Sequence, residues 1–300
     1  MYPSPRPLGP QPNYTVRRLV ALTVVVVVLY VLFLLVRALF GGGGGEGELS
    51  AGTTPTTAGA TSTTALSEPL PPCEYRDEQS IYGRPEDWNR TIVDTVYAIP
   101  EDYEPTDLVP ASAANYSAEF RIRELIASDL NSMRNAILAE GLPEVAILAA
   151  YRSVDDQQVL FDRRVQEMGF EAAAEGTARG GHSEHHLGTT IDVRLIGETD
   201  VDESFGQTPT GMWLEENSWR YGFVVSYPEG KEDVTCYKYE PWHLRYVGPQ
   251  QAERVVQSGL TLREYLWHWE VTGREPGTPS AAVTSTTVAG VDDQEPAEGG

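Results

Sequence analysis

Apolar residues are distributed along this chain in three different ways. The first is an unbroken run: residues 19–36, LVALTVVVVVLYVLFLLV, contain no charge, and with ALF after Arg37 the stretch is long enough to cross a bilayer. Its length, and FGGGGGEGE where a small-residue cleavage site would stand, predict an uncleaved anchor over 19–40 rather than a signal peptide. Arg6, Arg17 and Arg18 precede the span and only Arg37 lies just beyond it, so residues 1–18 are expected in the cytoplasm and the rest outside the membrane. The second pattern is near-absence: residues 41–72 and 273–300 are Gly-, Thr-, Ser-, Ala- and Pro-rich, cannot bury enough surface to fold, and predict a disordered linker and a disordered tail.

The third pattern is periodic and fills 73–272, the length of one domain. Phe120, Ile126, Leu130, Met133 and Ile137 recur at helical spacing and predict an amphipathic helix over 117–140, ended by Gly141. VAILAAYRS from Val145 reads as a strand. Ser153 then N-caps a second helix with Asp156 three residues on, and Phe161, Val165 and Met168 lie on one face before Gly169. After a Gly/Ala-rich loop (171–181), TTIDVRLI is β-branched and alternating, Trp213 to Trp219 reads as helix, 221–228 as strand, and 233–247 as one or two strands. Helices first and strands later predict an α+β domain, a small mainly antiparallel sheet with helices packed on it.

Charge narrows the partners. The domain carries 17 Lys and Arg against 36 Asp and Glu, net −19, within a chain of net charge −22. Such a surface repels nucleic acid and anionic lipid, which excludes both as partners of the outer domain. The two cysteines, Cys73 and Cys236, would be exposed to an oxidising exterior; a bridge would staple the domain's start to its body, and a free buried thiol is the alternative.

Candidate chemistry is concentrated in HSEHHLGTTIDV, residues 182–193, which holds three of the five histidines, and in YEPWHLRYVG, residues 239–248. His185, Asp192 and His243 would give three ligands and leave one tetrahedral position of a zinc ion open, the pattern of a catalytic site. Such an ion acidifies water and polarises a carbonyl, so a carboxylate outside the ligand set is needed to carry the proton, and Glu240 is placed for it. Gly188 permits a backbone reversal between His185 and Asp192, while His182 and His186 fall to the outer shell or to solvent. The competing reading of the cluster is a satisfied polar loop.

SEHHLGTTID resembles the S-x-H-x-x-G-x-A-x-D motif of the VanY-like D-alanyl-D-alanine carboxypeptidases, zinc peptidases of the bacterial cell wall. YEPWHLRYVG resembles their E-x-W-H segment, YRSVDDQ their Y-R-S-x-x-x-Q segment, and EDYEPTDLVP and YGFVVSYPEGKEDVT further stretches, together covering about residues 90–268. The resemblance implies zinc bound by His185, Asp192 and His243, Glu240 as general acid and base, Arg152 at the reacting end of the substrate, and Gln157, Ser183 and Tyr227 as further substrate contacts. Two positions depart from the pattern: Thr190 replaces a small alanine, and Cys236 stands where relatives carry a small residue. The expected function is a membrane-anchored, extracytoplasmic zinc carboxypeptidase acting on peptidoglycan stem peptides. The alternatives are an L,D-carboxypeptidase, a D,D-dipeptidase, or a non-catalytic wall-binding module.

Overall fold

A computed structural model describes residues 68–276. The expected anchor, residues 19–40, and most of the expected linker and tail lie outside them; among the described residues no helix is long and apolar enough to cross a membrane. Contacts of the domain reach slightly before residue 73, the boundary read from composition: Trp267 Nε1 donates to the Glu68 carbonyl at 3.3 Å and Leu70 packs against the buried cluster around Trp267.

In chain order the strands are β1 (Glu78–Gln79), β2 (Tyr97–Ala98), β3 (Leu108–Pro110), β4 (Arg121–Arg123), β5 (Val145–Ala149), β6 (Thr190–Leu195), β7 (Phe223–Val225) and β8 (His243–Tyr246). The helices are α1 (Ala127–Ala139), α2 (Val154–Met168), α3 (Phe170–Ala174), α4 (Pro209–Asn217), α5 (Glu232–Thr235), α6 (Pro249–Ser258) and α7 (Leu262–Thr272). The main sheet runs β5-β6-β8-β7 with every pairing antiparallel. This is the expected α+β arrangement; the two-residue pair β1-β2 is parallel.

Leu130, Met133 and Ile137 form the buried stripe of α1, continued by Ile126 just before it, each 0–1% exposed in one cluster with the sheet residues Ile147, Ile191 and Leu244. Each such side chain contributes about 1.5–3 kcal/mol of burial. The helix begins at Ala127 rather than 117, a correction with a clear cause: Arg121–Arg123 pairs with Leu108–Pro110 as a strand, turning Ile122 into the core, and a 3-10 turn at Glu124–Ile126 leads into the helix. Ser153 caps α2 as expected, its Oγ accepting from Asp156 N, but Met168 at the far end is 49% exposed.

The stretch 233–247 holds one strand, not two. Its first part is the short helix α5, which Cys236 ends in the left-handed region at φ 71° while bonded to Cys73 as a disulfide. A second core, built by α6 and α7 around Val255, Leu262, Tyr265 and Leu266, also takes in Ile92 and Val96 before β2, Tyr97 in β2, Val224 in β7 and Val247 just after β8.

Candidate functional site

Sheet register assembles the site. Ala149 pairs with Asp192, and Asp192 pairs with His243, so three adjacent strands present one row. The loop after β5 carries Arg152 on one side of that row, and the loop before β8 carries Glu240 on the other. His185 arrives from a 3-10 turn, Glu184–Leu187, capped by the Ser183 hydroxyl and closed by Gly188 at φ 66°. A Cβ on Gly188 would stand 2.9 Å from Arg123 Cγ, so both its conformation and its neighbours require glycine.

His185, Asp192 and His243 offer ligand atoms that all lie within 4.8 Å of one another. Each imidazole has one nitrogen already committed. His185 Nδ1 is 2.8 Å from the Ala150 carbonyl, which leaves Nε2 facing Asp192 Oδ2 at 3.2 Å. His243 Nε2 is 3.1 Å from Glu184 Oε2, which leaves Nδ1 at 2.9 Å from Asp192 Oδ1. That last contact lacks hydrogen-bond geometry: Oδ1 is buried and has no hydrogen-bond partner. Two lone-pair nitrogens and an unpartnered carboxylate oxygen converging in a buried pocket fit a divalent ion with nitrogen and oxygen ligands such as zinc.

Glu240 lies beside this set, Oε2 3.7 Å from His243 Nδ1, outside the group of three. Burial pushes its carboxyl up to about 8, with Asp192 adding to the rise and His243 and Lys238 opposing it. The adjoining cleft, about 870 Å³, is lined by Arg152, Gln157, Ser183, Tyr227 and Glu240 together with the three converging residues. Every candidate read from the sequence therefore meets in one place.

Several of them have structural partners that refine their part. Gln157, 2% exposed, accepts from Arg152 Nη1 at 2.5 Å and donates to the Ala178 carbonyl at 2.7 Å, so it fixes the guanidinium. The Tyr227 ring lies 4.7 Å from the His243 ring. Neither His182 nor His186 reaches solvent. His186 Nδ1 donates to the Arg152 carbonyl at 2.8 Å and its Nε2 accepts from Gly181 N; burial lowers its pKa to about 4, which keeps this neutral form. His182 Nδ1 donates to the Asp94 carbonyl at 2.7 Å.

Sequence reasoning missed Glu184. This carboxylate accepts from Ser226 Oγ at 2.6 Å, from Arg245 Nη1 at 2.8 Å and from His243 Nε2, and is 5% exposed. Burial alone would raise its pKa, but Arg245, His243 and Ser226 outweigh that and bring it to about 2. Arg245, fully buried, also donates to the Trp88 and Thr91 carbonyls. The only local signal was a glutamate beside histidines, which reads equally as a solvated loop.

Comparison with known proteins agrees with this geometry. Residues 119–249 match the VanY family, described as D-alanyl-D-alanine carboxypeptidase. The chain is 41% identical over 180 residues to the putative carboxypeptidase YodJ of Bacillus subtilis, covering 58% of this chain and 66% of that protein. It is 30% identical over 193 residues to the D-alanyl-D-alanine carboxypeptidase of Enterococcus faecalis, covering 61% and 68%. Against the Bacillus relative and one from Enterococcus faecium the chain spans less than two thirds of the relative's length, 66% and 57%. Among solved structures, the LdcB LD-carboxypeptidase superposes with TM-score 0.56 at 36% identity, covering 65% of this chain and 98% of that one. The zinc complex of a VanY D,D-pentapeptidase from a vancomycin resistance cassette gives TM-score 0.51 at 31% identity, covering 60% and 99%. With its motif residues gathered around one cleft and its likeness running through the whole of that cleft, the chain belongs to the VanY family of D-alanyl-D-alanine carboxypeptidases.

Proposed function

We propose that this protein is a zinc-dependent carboxypeptidase that removes the C-terminal D-alanine from peptidoglycan stem peptides, one zinc per domain held by His185 Nε2, Asp192 and His243 Nδ1. The observation that carries the reading is the convergence of these three groups, with Asp192 Oδ1 unpartnered, beside a carboxylate that is not one of them. A zinc ion there would supply Lewis-acid polarisation of a carbonyl and would lower the pKa of water toward neutrality. Glu240 takes the proton of the attacking water and delivers it to the leaving amine. Arg152, held by Gln157, pairs with the terminal carboxylate and sets the scissile bond over the site. Ser183 and Tyr227 line the same cleft as further substrate contacts.

An anchor over 19–40 with its N-terminus in the cytoplasm would hold the catalytic domain outside the membrane. A linker of this composition spans on the order of 30 Å, which keeps the domain near the wall. Removal of the last residue from a tetrapeptide, L,D-carboxypeptidase chemistry, is the second reading, favoured by the fuller superposition on LdcB. Incubating the zinc-loaded protein with tetrapeptide and pentapeptide stems and following D-alanine by chromatography separates the two. Release from the pentapeptide is expected; release from the tetrapeptide alone would replace the first reading with the second.

A further inference from the structure

Four cations line the cleft: Arg152 has its part, Arg163 and Arg164 pair with Glu167, and Lys238 has so far figured only as a charge opposing the rise of Glu240. Because Asp192 sits between Ala149 and His243 in the sheet, the loops carrying Arg152 and Lys238 flank it on opposite sides, and both residues line the cleft. In a domain with 17 basic and 36 acidic residues, the Lys238 ammonium makes no ion pair among the described residues. Its path is kept open by Gly176. A Cβ there would lie 2.8 Å from Lys238 Cε, 3.5 Å from its Nζ and 3.7 Å from Glu240 Oε1. A side chain at Gly176 would therefore displace the end of the Lys238 side chain from its present position. The main chain is tied at the same place, Lys238 N donating to the Glu175 carbonyl at 3.0 Å. The ammonium, with no ion pair among the described residues, is thereby brought near the Glu240 carboxylate.

We propose that Lys238 determines specificity by receiving a second carboxylate of the substrate, carried within the two residues N-terminal to the scissile bond. With Arg152 holding the terminal carboxylate on one side and the scissile carbonyl at the row of Asp192 and His243, the rest of the peptide leaves over Gly176 and Lys238. The preferred substrates are then peptides with two free carboxylates, one terminal and one internal. This rests on reading the site as a carboxypeptidase. Lys238 is exposed, so solvent screens the pairing and the preference should be about fivefold and should weaken with salt.

The test uses two synthetic peptides with the same C-terminal residue that differ only in an internal carboxylate or carboxamide, turned over by the zinc-loaded protein. The readout is the ratio of kcat/KM for the two, which cancels any general effect of a substitution on Glu240. A wild-type ratio of about five, falling toward one in Lys238→Met and largely kept in Lys238→Arg, is expected. A wild-type ratio near one, or an unchanged ratio in Lys238→Met, would overturn the inference while leaving the carboxypeptidase reading intact. Inactivity of the wild type on both peptides would overturn that reading and the inference with it.

Discussion

Replacing Glu184 with alanine removes the carboxylate that joins His243 to Arg245. Arg245 is fully buried; it would keep the Trp88 and Thr91 carbonyls but lose its one ionic partner among the described residues, where its Nε already has no hydrogen-bond partner. Stranding one member of a buried pair costs about 3–5 kcal/mol. His243 would at the same time lose the acceptor that fixes which of its nitrogens is free, and loss of such a partner lowers metal affinity about 10- to 100-fold. The same carboxylate also makes stability depend on pH. Because the folded-state pKa of Glu184 is lowered from 4.5 to about 2, its ionised form contributes stability that is fully present above about 4.5 and is lost as pH falls through about 2. The gap corresponds to about 3 kcal/mol, net of burial and shared among Arg245, His243 and Ser226. Urea unfolding of the metal-free protein at pH 7 and at steps down to pH 2, with zinc competition against a chromophoric chelator, measures both quantities. Glu184→Ala within 1 kcal/mol of wild type, with unchanged zinc affinity, would refute the reasoning. Glu184→Gln, which keeps the shape and loses the charge, should flatten the acid limb.

Other substitutions separate the histidines. His185→Ala should abolish zinc binding and activity together, measured by metal analysis and D-alanine release. His186→Ala should keep zinc yet lose about 1–3 kcal/mol in urea unfolding, because it leaves Gly181 N and the Arg152 carbonyl unpaired. Gln157→Ala should raise KM more than it lowers kcat, since the guanidinium of Arg152 loses its fixed partner. Reducing the Cys73–Cys236 bridge, which closes a separation of 163 residues, should lower stability by about 3–5 kcal/mol, read as a fall in melting temperature with reductant.

What could be read from the sequence was whatever a short window encodes. The Ser153 cap and the strand within 189–196 are local, and both stand where the pattern placed them; the histidine and carboxylate motifs are also short windows, but only the sheet register brings their residues together. The strand at Arg121–Arg123 was hidden because only its pairing with Leu108–Pro110 distinguishes it from the helix that follows. The helices after Pro249 carry their own signals, Gly259 as a stop and a Thr261/Glu264 capping box, but lie beyond the motifs that drew attention. Glu184 was invisible for a deeper reason: its burial is set by Arg245, 61 residues away, and no window around HSEHH contains that partner. His182 and His186 follow the same logic, their partners Asp94 and Arg152 being brought by other elements.

The central claim is that a zinc ion held by His185, Asp192 and His243 works with Glu240 as its proton carrier. Metal content and D-alanine release from a pentapeptide stem, measured side by side for wild type and Glu240→Ala, test it most directly. One zinc per chain in both proteins, with release by the wild type and its loss by at least two orders of magnitude in the variant, is the expected result. A zinc-loaded wild type as inert as the variant, or a variant as active as the wild type, would contradict it.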